Sequence, residues 1–372
     1  MAERIKIGVI FGGKSGEHEV SLMSARSILS VLSPQKFEVT QIGITHSGHW
    51  LTGANVIDVL DTPQEASLTG AAILPDSALP SLYALTEIAG GLMMQELARL
   101  DVVFPVLHGT FGEDGTIQGL LEMADVAYVG AGVLASSVGM DKALFKDVMR
   151  AHGLPVVPSV VLSRREIEKN MEGALAKAES LGCYPLFVKP ANLGSSVGIT
   201  KCRSRGDLME GLLEAARYDR RILVEVGIEK PREMEVSVLG NEEAIASIPG
   251  EVIPSDEFYT YRAKYLDEGS RLLIPAPLAP EVAARMSDLA VRAYQAVDGA
   301  GLGRVDFLLD PRTDDIYISE INTLPGFTKI SMYPKLWEAS GISYGMLVEQ
   351  LVKLAMERKQ DRDRTERRFR SA

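Results

Sequence analysis

Short apolar blocks recur along most of the chain, some continuous and some alternating with polar residues, and stretches of helical spacing fall between them. In the first third, residues 5–11, 37–44 and 102–107 read as strands and residues 20–32 as a helix. This strand and helix alternation belongs to an open parallel sheet with helices packed on it. Glycines cluster between Gly130 and Gly139, and with the helical stretch after Asp141 they mark a domain boundary. Beyond it, helices at 166–181 and 207–216 mix with short strands at 186–189, 199–202 and 222–226. From Glu233 onward strands dominate, interrupted by a helix at 281–297. There Val282, Met286, Leu289 and Ala293 recur at spacings of three and four, so one face packs on a core. A last helix carries Leu347, Leu351, Leu354 and Ala355 on one side. The predicted class is α/β and α+β multidomain: an N-terminal α/β domain at 1–140, a central domain at 141–227, a C-terminal domain at 228–358, and a solvated or frayed basic tail at 359–372.

The strongest chemical signal lies in two strand-like segments near the C-terminus, Leu302-Gly-Arg-Val-Asp-Phe-Leu-Leu309 and Ile316-Tyr-Ile-Ser-Glu-Ile-Asn322. In a strand, residues two apart share a face at roughly 7 Å. Arg304 therefore pairs sideways with Asp306, and Glu320 with Asn322. The polar loop at 310–315 is short enough to make the two strands antiparallel neighbours, which gathers both pairs into one patch. Asp306, Glu320 and Asn322 offer oxygen ligands without His or Cys, a set that suits Mg²⁺ bound together with nucleotide phosphates. A pair of solvated edge strands is the other reading of these residues. Directly after Asn322, Pro325-Gly326 forces a turn in which a backbone N–H can approach an oxyanion, and Lys329 and Ser331 follow in reach of a carboxylate.

Composition narrows the partners. The chain has 372 residues, 46% hydrophobic and 24% charged, and a net charge of −11. Such a balance argues against a general polyanion-binding surface, so nucleic acid is not expected and phosphate recognition must come from a local group of Lys and Arg. Cys183 and Cys202 lack metal-binding or disulfide spacing and read as small core residues. The N-terminus resembles neither a signal peptide nor a membrane span, and a cytoplasmic location without membrane attachment is expected.

Several loops carry possible chemistry. Gly8-Val-Ile-Phe-Gly-Gly-Lys14-Ser15 fits the phosphate-loop pattern G-x-x-x-x-G-K-S, but Val9, Ile10 and Phe11 form the body of a strand, so the match is a decoy. The turn that follows places Glu17 at a helix N-terminus beside the sheet edge, where it can hold an ammonium or serve the helix dipole. His108-Gly-Thr-Phe-Gly-Glu-Asp-Gly115 is another sheet-edge loop, with Asp114 either a helix cap or part of a site. His46 and His49 stand in a Ser-Gly turn without further ligands nearby, which argues against a metal there. Phe187-Val-Lys189 runs into the loop Gly194-Ser-Ser-Val-Gly198, rich in donors and suited to closing over a triphosphate. Met140-Asp-Lys142 offers a second cation. The segment from Phe258 to Tyr265 reads as a lid.

In their order along the chain, the motifs around Gly12 to Ser21, His108 to Gln118, Met140 to Lys142, Val188 to Pro190, Gly194 to Gly198, Tyr261 to Tyr265, Gly303 to Asp306 and Glu320 to Gly326 resemble those of the ATP-grasp superfamily, and within it the D-alanine:D-alanine ligases. The resemblance spans nearly the whole chain. It implies an ATP-grasp fold in which ATP is gripped between the central and C-terminal domains and one D-alanine is activated as an acylphosphate before a second D-alanine displaces phosphate. By the same resemblance Asp306, Glu320 and Asn322 hold two Mg²⁺, with Mn²⁺ able to substitute. Lys142, Lys189, Ser195, Ser196 and Lys264 hold phosphates. Glu225, Ile228 and Glu233 contact adenine and ribose. Glu17, Val20 and His108 place the first D-alanine, and Lys264 and Ser331 take the carboxylate of the second. Arg304 and the Gly326 amide form the oxyanion site, and Glu17, Ser195 and Tyr265 form a hydrogen-bonded triad. Tyr265 favours a dipeptide over a D-alanyl-D-lactate product; D-alanyl-D-serine, and a non-catalytic nucleotide-binding regulator, are the competing readings. The family also implies a homodimer.

Overall fold

The computed structural model describes residues 3–194, 197–253 and 271–366. Three sheets carry the fold. In the first, eight strands run in the order Gly91–Arg99, Ser81–Ile88, Thr69–Ile73, Trp50–Thr52, Phe37–Ile44, Ile5–Gly12, Val102–Val106, Ala127–Tyr128. The last four pair in parallel and their apolar runs are buried; three of them are the strands the sequence pattern predicts, and Ala127–Tyr128 is a short fourth that it leaves out. Antiparallel strands extend the sheet beyond Phe37–Ile44, a half the sequence reading leaves out. The omission has a physical reason: every residue of Gly91–Arg99 but Ala98 is exposed, so the strand shows no buried face to betray it.

Because Ile5–Gly12 is a continuous strand through Gly8, the phosphate-loop match is a decoy in the structure too. Lys14 follows the strand as an exposed side chain. Lys14→Ala is accordingly expected to leave turnover unchanged in a steady-state assay, whereas loss of activity would return the phosphate-loop reading to contention.

The second sheet is antiparallel, in the order Thr200–Cys202, Leu186–Pro190, Arg221–Val226, Ser159–Ser163. The helix expected over 166–181 is two helices, Arg164–Lys169 and Met171–Glu179. Asn170 breaks it, because its side chain accepts the Gly173 N–H and starts the second helix afresh. The third sheet, also antiparallel, orders Arg271–Leu273, Gly250–Ile253, Arg232–Leu239, Leu302–Leu309 and Ile316–Asn322, and the helix Pro280–Ala296 packs on it.

Two expectations need correction. Cys202 is buried but Cys183 is exposed. The final helix, Tyr344–Asp363, runs through the start of the supposed tail, and its basic end is docked rather than solvated. Lys359 and Arg362 meet Asp125 at 3.1 and 3.0 Å, Arg362 also pairs with Glu122, and the Arg358 guanidinium lies 4.2 Å from the Tyr128 ring centre. Upstream, Leu347, Val348, Leu351 and Val352 share one core with Ile7, Val9, Phe104 and Val106 of the first sheet. The C-terminal segment is thereby fixed against the N-terminal sheet, and the loop at 323–331 is carried over that sheet's edge.

Candidate active site

Antiparallel pairing sets Arg304 opposite Asn322 and Asp306 opposite Glu320. One irregularity makes this face possible. Ile316 and Ile318 point into the core, and in a regular strand Glu320 and Asn322 would follow them there. The register shifts between Asp306 and Phe307, so that Phe307 opposes Ile318 and Ser319 is the extra residue. Past this bulge the strand reverses its faces, and Glu320 and Asn322 join Arg304 and Asp306 on the open side while Phe307 and Ile318 stay buried.

Hydrogen bonds lock this patch. Arg304 donates through Nε and one terminal nitrogen to the two Asp306 carboxylate oxygens, both at 2.6 Å, and Asn322 Nδ2 donates to Asp306 Oδ2 at 3.0 Å. On the neighbouring strand Glu235 stands opposite Asp306, with its carboxylate 2.9 Å from Arg304 Nε. Glu235 is a residue the sequence reading missed. Three carboxylates thus lie abreast on three strands, and the Glu233-x-Glu235 repeat beside an apolar strand was the signal that could have found it. Asp306, Glu320 and the Asn322 amide present hard oxygens on one half-buried face, a donor set that fits a divalent cation with water and phosphate completing its shell.

The patch opens into a cleft whose walls include Glu17, Glu113, Lys142, Gly194, Arg304, Glu320, Asn322 and Gly326. Lys142 begins the helix Lys142–Ala151; its Nζ donates to the Leu193 carbonyl at 2.5 Å and stands 3.6 Å from Glu320. Lys189 lies on the second sheet and pairs with Glu225 at 2.7 Å, while Lys146, a second missed residue, holds the other Glu225 oxygen at 2.9 Å. Burial alone would raise the Glu225 pKa, but the two ammonium groups outweigh it and pull it down to about 2. Burial lowers Lys146, and Glu225 only partly offsets this; for Lys189 the charges of Glu225, Glu320 and Glu233 outweigh burial and the shift is upward. The Glu225 carboxylate is therefore engaged by lysines, with Ile228 half-buried just beyond its strand and Glu233 on the strand that follows.

Across the cleft, the first sheet supplies an acidic wall. A Cβ on Gly109, whose φ is +74°, would stand 2.6 Å from Glu17 Oε2, and one on Gly194 3.5 Å from the same atom. Glycine at 109 lets the Glu17 carboxylate approach the His108 loop, while the contact at Gly194 is an ordinary one that puts the start of the donor-rich loop on its other side. His108 is buried with Nδ1 3.1 Å from the Leu324 carbonyl and Nε2 3.0 Å from Ser24 Oγ, and Glu113 lies 3.7 Å from Nδ1. Burial works to lower the His108 pKa, yet the Glu113 carboxylate, helped by Glu17, moves it up. Burial in turn raises Glu113. Glu113 sat inside a motif already noted, but nothing in its spacing separated it from Asp114. The structure does: Asp114 accepts the Phe111 and Thr116 N–H groups and caps the turn. Val20 is fully buried in the helix after Glu17. Ser24 Oγ also accepts the Phe327 N–H, so the Gly326 turn is tied to the first sheet. Ser331 precedes the helix Met332–Ala339 and its Oγ lies 2.8 Å from Thr328 Oγ1. Ser195, Ser196, Lys264 and Tyr265, with the expected lid, lie outside the described residues.

Family comparison agrees with this geometry. Residues 148–353 match the model described as the D-ala D-ala ligase C-terminus, and residues 6–131 match its N-terminus. The chain belongs to the D-alanine–D-alanine ligase family. A D-alanine–D-alanine ligase of Heliobacterium modesticaldum is 52% identical over 96% of both chains, and that of Natranaerobius thermophilus is 45% identical over 99% of both. Among solved structures, the D-alanine-D-alanine ligase from Coxiella burnetii superposes with a TM-score of 0.81 at 36% identity, covering 97% of each chain. The VanG D-Ala:D-Ser ligase from Enterococcus faecalis superposes at 0.84 with 33% identity, over 95% of this chain and all of that one. The ATP-grasp fold expected for this family is the fold described above.

Proposed function

We infer that this chain joins two D-alanines into D-alanyl-D-alanine at the expense of ATP, releasing ADP and phosphate, as a step in making peptidoglycan precursors. The observation that carries the reading is the convergence of Arg304, Glu320 and Asn322, with Asp306 bonded beside them, and Glu17, Glu113 and the Gly326 turn in one cleft. The enzyme uses ATP and a divalent metal. The acidic wall of Glu17 and Glu113 suits the ammonium of the first D-alanine, leaving its carboxylate toward the nucleotide. A carboxylate oxygen attacks the γ-phosphorus, the bond to the β–γ bridging oxygen breaks, and ADP leaves. The amine of the second D-alanine then adds to the acylphosphate carbonyl, loses a proton, and phosphate departs as the amide forms.

Two anions must meet for the first step, and like charges about 4 Å apart repel by roughly 4 kcal/mol at an effective dielectric of 20. Lys142, on the cleft wall, and Lys189 are the cations this proposal assigns to the phosphates. Asp306, Glu320 and Asn322 would hold the metal, two Mg²⁺ in this proposal with Mn²⁺ able to replace them, whose chemistry when bound is to neutralise phosphoryl oxygens. Arg304 and the Gly326 N–H suit the oxygen that becomes anionic when the amine adds. Ser331 and the free N–H groups of the helix behind it suit the second carboxylate. Val20 supports the Glu17 helix from the core, His108 holds the Gly326 loop to the first sheet, and Ile228 and Glu233 edge the expected nucleotide position. Ser195, Ser196, Lys264 and Tyr265 keep the phosphate and triad roles implied by resemblance.

D-alanyl-D-serine synthesis remains the second reading, since VanG is by name a D-Ala:D-Ser ligase, but its lower identity does not favour it over the dipeptide. Incubation with ATP, Mg²⁺ and D-alanine should release ADP and phosphate in step with dipeptide. Absence of D-alanine-dependent ADP release would refute the function, and a preference for D-serine or D-lactate as second substrate would redirect it. The three-domain division and a homodimer belong to the same proposal; Leu92, Met93, Met94 and Leu97 on the exposed edge strand are compatible with self-association, which sedimentation would measure. Among the described residues no helix is long and apolar enough to cross a membrane.

A further inference from the structure

We propose that His18, His46 and Asp61 form a transition-metal site, distinct from the oxygen-lined cleft, whose walls include none of the three. The expectation that His46 has no ligands nearby fails, because folding brings Asp61 and His18 to it: one nitrogen of each histidine and a carboxylate oxygen of Asp61 lie within 4.8 Å of one another. His18 is 1% exposed, and its ring is seated against Gly12, where a Cβ would meet Cε1 at 3.0 Å. Its Nδ1 lies 2.9 Å from the Gly13 carbonyl oxygen, which can only accept, so Nδ1 carries a hydrogen and Nε2 is the lone-pair nitrogen of the neutral ring. That Nε2 faces Asp61 Oδ2 at 2.7 Å. A lone pair and a carboxylate meeting head-on require a cation between them, either a proton or a metal ion.

The surroundings favour the metal. A ligating histidine almost always donates its other N–H to a carbonyl or carboxylate, and His18 does so through Gly13. The His46 ring stacks on His18 with centroids 3.8 Å apart, and its Nε2 lies 3.4 Å from Glu19, a further carboxylate at the rim. His46 is more than half exposed, and one of its ring nitrogens already lies within 4.8 Å of the other two ligand atoms. Asp61, anchored through its N–H to Glu65 at 2.9 Å, needs only to open the contact to about 3 Å to accommodate metal bonds of about 2 Å. Two imidazoles and a carboxylate suit Zn²⁺, Ni²⁺ or Co²⁺ and suit Mg²⁺ poorly; three protein ligands leave a position for water.

The test uses the untagged full chain without nucleotide in excess Mg²⁺, titrated with Co²⁺ and followed by visible absorption and calorimetry. One saturable equivalent is expected, with His46→Ala and Asp61→Asn each weakening it by about 100-fold or more, beyond the 10–100-fold typical of losing an outer partner. His49→Ala, which removes the neighbouring histidine of the same turn, should leave the affinity unchanged. His46 is exposed, and an unchanged circular dichroism spectrum excludes misfolding as the cause. Equal binding by wild type and His46→Ala, or an equal loss in His49→Ala, overturns the site.

Discussion

Arg304→Lys is expected to cut kcat by roughly 10²–10³-fold while the far-ultraviolet circular dichroism and the KM for ATP change little. Arg304 is 8% exposed and gripped by two carboxylates, side-on by Asp306 and at 2.9 Å by Glu235. The positive charge is needed for folding, since its removal would leave Asp306 and Glu235 facing each other unneutralised. Lysine keeps that charge. What it loses is the planar fork, which a compact ammonium on a flexible stem cannot reproduce. If the guanidinium stabilises an oxygen that becomes anionic only during amine addition, the loss falls on kcat rather than on nucleotide binding. At 1.36 kcal/mol per decade, a loss of about 3–4 kcal/mol is the worth of one oxyanion donor. A lysine variant turning over within about threefold of wild type would remove Arg304 from that role.

The second large effect concerns stability. Glu225 is 3% exposed and neutralises both Lys146 and Lys189. Glu225→Gln leaves the Lys189 ammonium of the second sheet and the Lys146 ammonium of the helix Lys142–Ala151 without their shared carboxylate, and breaking a buried pair in this way costs about 3–5 kcal/mol. By contrast, the Lys36–Glu349 pair, with side chains 59% and 38% exposed, is worth about 0–1 kcal/mol. Chemical denaturation should separate Glu225→Gln clearly from Glu349→Gln, and Lys146→Met added to Glu225→Gln should recover part of the loss. The pH dependence has a definite sign. Glu225 in the folded chain ionises with a pKa of about 2, below the value of about 4.3 for an unfolded glutamate, so its contribution is fully present above that value. It is lost as the pH falls from there toward 2. Glu225→Gln should therefore flatten the acid limb of the stability curve over that interval; an unchanged limb would show that the pair contributes no net linkage.

The strands Leu302–Leu309 and Ile316–Asn322 were legible because polar residues of unusual type interrupt apolar alternation at a spacing of two. Their convergence was legible for the same reason, through the short loop between them. The bulge at Ser319 was not, although it alone turns Glu320 and Asn322 away from the face of Ile318. The break in alternation at Ile318-Ser-Glu-Ile321 records it, but a bulge is a property of two strands and one strand's periodicity does not establish it. Partnerships across elements were lost in the same way: Glu235 beside Arg304, Lys146 beside Glu225, and Asp61 beside His18 depend on folding distances that sequence separation conceals. The docked C-terminal helix was misread because arginines near a terminus usually face water, and their partners Glu122 and Asp125 lie more than two hundred residues away.

The central claim is that Asp306, Glu320 and Asn322 seat a divalent cation beneath the nucleotide phosphates. Crystals grown with D-alanine, Mn²⁺ and a non-hydrolysable ATP analogue test it most directly, by anomalous scattering at the manganese edge. The account predicts peaks about 2.2 Å from oxygens of Asp306, Glu320 and Asn322, each also touching a phosphate oxygen. Manganese and triphosphate bound together elsewhere, with these three side chains still engaged only with Arg304 and solvent, would contradict it.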